Sequence, residues 1–189
     1  MYKQDLHIHT SFSTTDSAVV SQQTIEMIDF IRHADIIGIS DHFEMFMPQH
    51  WEEYKNEVKK YNFKLGTEVN GHLSVDEALK FDFEYYVYHC WGHEPDDYKA
   101  LIKLQSSNKP VIVAHPYATG TDLNRIPEGS IVEINNRYIW RYDWKNFITP
   151  YISKFKWVLS SDAHQPNWLT QQIATRIAEI LNIPETILF

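Results

Sequence analysis

Seven short apolar segments punctuate the chain, at residues 4–9, 36–40, 63–69, 84–89, 110–115, 130–135 and 156–161. Each has the length and the β-branched or aromatic content of a buried strand. Longer stretches of helical character separate them. Ile25, Ile28, Phe30 and Ile31 recur at near-helical spacing within 21–33, and Leu169, Ile173, Ile177, Ile180 and Leu181 mark one face of 167–181. Ser74-Val75-Asp76-Glu77 opens a short helix through Leu79 with Ser74 as its N-cap, and Pro48 to Lys60 is amphipathic but polar. Strands alternating with helices require a parallel sheet with helices outside it. Seven units in 189 residues give about 27 residues each, close to the ~30 of a βαβ unit. Closure into an α/β barrel is the natural form, and an open doubly wound sheet is the alternative. No linker or low-complexity run divides the chain, so one domain over 1–189 is expected.

Composition narrows the class. A net charge of −8 argues against a nucleic-acid scaffold, although bound divalent cations would offset it locally. The single cysteine, Cys90, forms no internal disulfide, which points to a reducing compartment. The first residues, Met1-Tyr2-Lys3-Gln4-Asp5, have no apolar run, and no stretch has the ~20 apolar residues of a membrane span. A cytoplasmic protein is expected.

The ionisable residues fall at the C-terminal ends of the strands. They are His7 and His9, then His42, Glu68, His89, His115, and finally Asp162 and His164; the sixth strand, ending on Asn135, is the exception. In a parallel barrel all C-terminal strand ends open onto one face, so these side chains would converge on one cavity. His7 and His9, two residues apart, would point to the same side of an extended strand and could grip one ion. Asp162-Ala163-His164 repeats that spacing. Any one of these residues could be satisfied in a core, but so many charged or imidazole groups closing apolar strands would be costly without a shared partner. A metal site is the expectation.

The motifs His7-Ile8-His9-Thr10, Asp16, Asp41-His42, Glu68, His89, His115-Pro116 and Asp162-Ala163-His164 resemble the PHP family, named for polymerase and histidinol phosphatase. The likeness runs from residue 5 to residue 164. It implies a distorted seven-stranded (βα)7 TIM-like barrel and three divalent metal ions. In that pattern His7, His9, Glu68 and Asp162 would hold the first ion. Glu68, His89 and His115 would hold the second, and Asp16, His42 and His164 the third. Imidazole and carboxylate donors suit Zn, Mn or Fe.

Three such ions against Asp16, Glu68 and Asp162 leave about +3 by formal counting, a centre that attracts an anion. Phosphoester hydrolysis is the expected chemistry, with Glu68, Asp162 and His164 as candidate catalytic residues. Arg137, Arg125 and His93 are candidates for binding a small phosphorylated substrate, a phosphomonoester or a nucleotide end. Long DNA is disfavoured by the net charge. A binuclear amidohydrolase or deoxyribonuclease barrel is the competing enzyme reading, although such barrels usually have eight strands and end on a lone Asp. A non-catalytic metal-bearing regulatory module is the third reading, disfavoured because no ligand position is missing.

Overall fold

The computed structural model describes residues 1–45 and 50–189. Its strands are β1 (Tyr2–Asp5), β2 (Ala34–Ile39), β3 (Lys64–Asn70), β4 (Tyr85–His89), β5 (Val111–Val113), β6 (Ile131–Asn135) and β7 (Lys156–Ser160). They lie side by side in chain order, every neighbouring pair parallel. The α-helices among the described residues are α1 (Ile25–Ile31), α2 (Trp51–Lys60), α3 (Val75–Ala78), α4 (Pro95–Gln105), α5 (Pro116–Thr119), α6 (Trp144–Ile148) and α7 (Gln172–Leu181). The two edges of the sheet meet beyond β1 and β7. Ile8 pairs with Ala163 in parallel, and His9 N donates to Ala163 O at 2.9 Å. The fold is therefore a nearly closed (βα)7 TIM-like barrel rather than an open sheet. No helix of the described residues is long and apolar enough to cross a membrane.

All seven expected strands are present, with shifted ends. β1 stops at Asp5, so His7 and His9 lie in the extension past it. There Ile8 bonds across to Ser40, which donates its N–H to Ile8 O at 2.9 Å. Helix α1 spans only Ile25–Ile31, with Thr24 Oγ1 accepting from Met27 N at 3.1 Å and a left-handed Arg32 ending it. In so short a helix only Ile25 and Ile28 reach the sheet, and Phe30 is 84% exposed. In α7 the buried face is Ala174, Ile177 and Ala178, with Ile173 and Ile180 towards solvent and Leu169 buried ahead of the helix. Two small alanines join Ile177 on the face that α7 turns to the core. Ser74 stands at the start of α3 without making a side-chain cap bond. The expected start at Pro48 lies outside the described residues, and α2 is described from Trp51.

Two apolar clusters divide the interior. Leu6, Tyr85, Val87, Ile112, Ala114 and Val158 fill the barrel, and a larger cluster lies between sheet and helices. The interior is shaped by a size match. The Tyr85 ring occupies the space above Gly38 and Gly66 that a Cβ on either glycine would enter. At the N-terminal end of the strands the last residues lie across the barrel. Thr186 N donates to Trp157 O at 2.7 Å, Leu188 N donates to Gln4 Oε1 at 3.1 Å, and the Phe189 ring sits 5.9 Å from that of Tyr85. The site is formed at the opposite end, where every crossover leaves its strand.

Candidate metal centre

Glu68 points inward from β3 and is the hub of the strand-end face. Its Oε1 lies 3.2 Å from His7 Nε2, 2.6 Å from His89 Nε2 and 3.6 Å from His115 Nε2. Its Oε2 lies 3.2 Å from His9 Nε2 and 3.0 Å from His42 Nδ1. One carboxylate thus touches five imidazoles delivered by four other strand ends. Asp162 is the second hub, with Oδ1 at 3.7 Å from His7 Nε2, 3.5 Å from His9 Nε2 and 3.3 Å from His164 Nδ1. Its backbone is left-handed (φ 53°), a conformation that Asp tolerates better than most residues. That turn separates β7 from Ala163, which then pairs with Ile8. Asp16 reaches in from the loop after β1, with Oδ2 at 2.9 Å from His164 Nε2 and 3.4 Å from His42 Nε2.

These residues line a pocket of about 210 Å³. Eight of the nine expected ligands face it together with Met45, Arg137 and Tyr138; the ninth, His7, is fully buried beneath. Among the described residues, donor atoms close enough to share an ion form four groups: His7, His9 and Glu68; Glu68, His89 and His115; His7, His115 and Asp162; and His9, His42 and His164. The second coincides with one expected ligand set and the first with most of another. In the fourth, His9 stands with His42 and His164 where the family pattern has Asp16, although Asp16 touches both of those histidines.

The donor chemistry fits a cation. His7 Nδ1 lies 2.9 Å from Glu133 Oε2 and His89 Nδ1 lies 3.1 Å from Asn70 Oδ1, both acceptors. In the neutral rings the proton therefore sits on Nδ1 and the Nε2 lone pairs turn inward. There His7 Nε2 faces His9 Nε2 at 3.1 Å, and His89 Nε2 faces His115 Nε2 at 2.9 Å. Glu68 Oε1, buried amid three imidazole nitrogens, meets hydrogen-bond geometry with none of them. Converging lone pairs need a proton or a metal between them, so buried histidine and carboxylate clusters here could hold metal ions.

The electrostatics show what a metal would compete with. Burial pushes His7 down, but Glu133, Glu68 and Asp162 outweigh it and raise the ring well above its ordinary value. Burial likewise opposes a charged His42, yet Glu68 and Asp16 lift it to about 10. His9 is held well below its ordinary value by burial and by the neighbouring His164 and His42, and burial also lowers His89. Burial opposes ionisation of Glu68, but His89, His7 and His42 hold it well below the usual carboxylate range. Metal binding at such a site displaces protons from the imidazoles.

Beneath the ligands lies a supporting layer absent from the sequence expectations. Glu133, fully buried on β6, accepts from His7 Nδ1, from His115 N at 2.5 Å, from Asn135 Nδ2 at 2.9 Å and from Ser160 Oγ. Burial opposes its charge, but His7 outweighs this and holds Glu133 at about 2. Asn135, the strand end that carries no ionisable group, donates to Asp162 Oδ2 at 3.1 Å. The signal was in the sequence: Glu133 stands two residues before Asn135, on the same face of the strand. Asp41, the residue before His42, accepts from Thr10 N and Oγ1, both at 2.6 Å, and from Ser13 Oγ at 2.7 Å. It ties β2 to the loop that carries Asp16, and burial pushes its carboxyl up to about 6.

Of the expected substrate binders, Arg137 reaches the pocket. Its Nη1 lies 3.4 Å from Asp162 Oδ1 and 3.0 Å from His164 Nε2. Arg125 is exposed and stacks on Tyr98 at 3.6 Å, and His93 is 72% exposed beside Glu94; neither lines the pocket. Cys90 is buried, and burial with the nearby Asp97 pushes its thiol up to about 12, far from a nucleophile. Comparison with known proteins supplies no relative: no family model matches the chain, and no curated protein matches its sequence.

Proposed function

We propose that this protein is a metal-dependent phosphoesterase of the PHP type, working through three divalent ions. The observation that carries the reading is the convergence of imidazole nitrogens from successive strand ends on Glu68 and Asp162, with the guanidinium of Arg137 at the rim. His7, His9, Glu68 and Asp162 would hold one ion, Glu68, His89 and His115 another, and Asp16, His42 and His164 the third. Bound there, divalent ions would supply Lewis acidity and lower the pKa of water at neutral pH.

The chain's own groups account for the rest. Arg137 is held between the rings of Tyr138, 4.9 Å away, and Trp168, 5.2 Å away. A phosphate oxygen at the pocket would replace its present contact with Asp162, a charge-assisted bond suited to the planar guanidinium. His164, whose Nε2 lies 2.9 Å from Asp16, would be occupied as a ligand of the third ion, so the leaving oxygen would take its proton from solvent at the open pocket. Glu133 and Asn70 keep His7 and His89 in the tautomer that presents Nε2. A small phosphomonoester or nucleotide end in a cytoplasmic setting is the substrate class this reading favours.

The experiment is a panel of phosphomonoesters and diesters assayed after loading with Mn, Zn or Fe. Turnover that falls about a hundredfold or more in His9→Ala is expected, on the scale of losing one electrostatic catalytic group. Metal-loaded protein that hydrolyses nothing in the panel would sink the proposal.

A further inference from the structure

Beside the metal pocket lies a second cavity, of about 260 Å³, and Arg137 lines both. Its walls come from the segment after β6 and the segment leading into α7. Trp140, Trp168 and Ile173 supply apolar surface, and Arg137, Arg141 and Asn136 supply the polar edge; no carboxylate among the described residues lines it. The Arg141 guanidinium lies 5.1 Å from the ring centres of both Tyr138 and Trp140. Asn136 Oδ1 accepts from Ile173 N at 2.8 Å and Ala174 N at 3.2 Å, fixing the start of α7 against this wall. Trp140 is 57% exposed, so its ring is open to a group entering the cavity.

We propose that this cavity is the leaving-group subsite and that it selects an aromatic or heteroaromatic ring, neutral or anionic, against a cationic amine. The proposal rests on the phosphoesterase reading, which sets the phosphate on the metal side of Arg137 and the remainder of the substrate on the other. The volume is just below the ~300–1,000 Å³ typical of ligand pockets, room for one ring system and a short linker. Tryptophan faces favour a flat ring, and two guanidinium groups add edges that stack on it. An ammonium entering the same space would meet two positive charges and no carboxylate, and would lose hydration without a counter-ion.

Three phosphates of primary alcohols with matched leaving ability separate these cases: 2-phenylethyl, hexyl and 6-aminohexyl phosphate, compared by kcat/KM on the metal-loaded protein. The aromatic ester should exceed hexyl phosphate roughly fivefold to tenfold, the scale of a single stacking contact, and the amine should fall below hexyl. Trp140→Ala should bring the aromatic-to-hexyl ratio towards one, with Trp140→Phe restoring most of it. An amine ester that equals or exceeds the others, or a ratio unmoved by Trp140→Ala, overturns the assignment. If no ester is turned over, the phosphoesterase reading fails, and the subsite is judged by binding alone. Quenching of tryptophan fluorescence by phenylphosphonate but not by 3-aminopropylphosphonate, lost in Trp140→Ala, would uphold it, and no difference between the two would reject it.

Discussion

Glu133 shows how much of this centre is decided by residues that never face the pocket. It accepts from the side chain of one candidate ligand, His7, from the backbone of a second, His115, and from Asn135, which in turn holds Asp162. Its charge favours the Nδ1–H tautomer of His7 and makes the ring a better donor to a cation. Glu133→Gln keeps the shape and removes the charge. It should weaken metal affinity about 10- to 100-fold, measured by competition with a chromogenic chelator; unchanged affinity would reduce Glu133 to a packing role. At this scale the histidines and acids at the strand ends were readable from their positions alone. Glu133 was legible only as a residue on Asn135's face of the strand; its role appears once its neighbours across the barrel are known.

At the scale of elements, the interior depends on a large residue meeting two absent side chains. Gly66 and Tyr85 are register partners on β3 and β4, and a Cβ at Gly66 would enter the tyrosine ring. Gly66→Ala should destabilise the protein by about 1–3 kcal/mol through overpacking, read from chemical denaturation. Combining it with Tyr85→Leu should cost less than the sum of the two single changes. A strictly additive pair would mean the ring is not what the methyl meets.

Outside the barrel, Glu84 joins α2 to the sheet, accepting from Lys59 Nζ and from Leu65 N. Burial would raise its pKa, but Lys59, Leu65 N–H and Lys64 outweigh this and lower it from 4.5. A depressed carboxyl contributes stability above its unfolded value and loses it as pH falls through the folded one. Glu84→Gln should therefore cost about 0.2–1 kcal/mol at pH 7, and nothing once the carboxyl is protonated in strong acid. A gap of the same size at both pH values would assign the effect to the backbone hydrogen bond instead.

At the scale of the whole molecule, the centre concentrates imidazoles and carboxylates in a buried space at the point where β1 and β7 close the barrel. A cation bound there favours the folded state over the unfolded chain. Metal at a hundred times its dissociation constant adds about 2.7 kcal/mol. For a chain of this length that should raise Tm by roughly 5–10 °C, followed by calorimetry with and without chelator. A Tm indifferent to Mn, Zn and Fe would argue against tight binding at this site. Asp162→Asn should lose most of that gain, since Asp162 would hold the first ion.

By itself the sequence determined the class of the fold and the composition of the site. Apolar runs of strand length spaced about 27 residues apart admit few architectures, and burying so many ionisable strand ends is tolerable only if they share a partner. Tertiary structure decided the rest: that the edges meet at Ile8 and Ala163, that Asp16 turns in from its loop to touch His42 and His164, and that Arg137 reaches the pocket while Arg125 stacks on Tyr98 and His93 stays in solvent. The reason is physical. Periodicity fixes which way a strand residue points, whereas a loop has no period, and its direction is set only by the hydrogen bonds and ring contacts it finds on the folded surface.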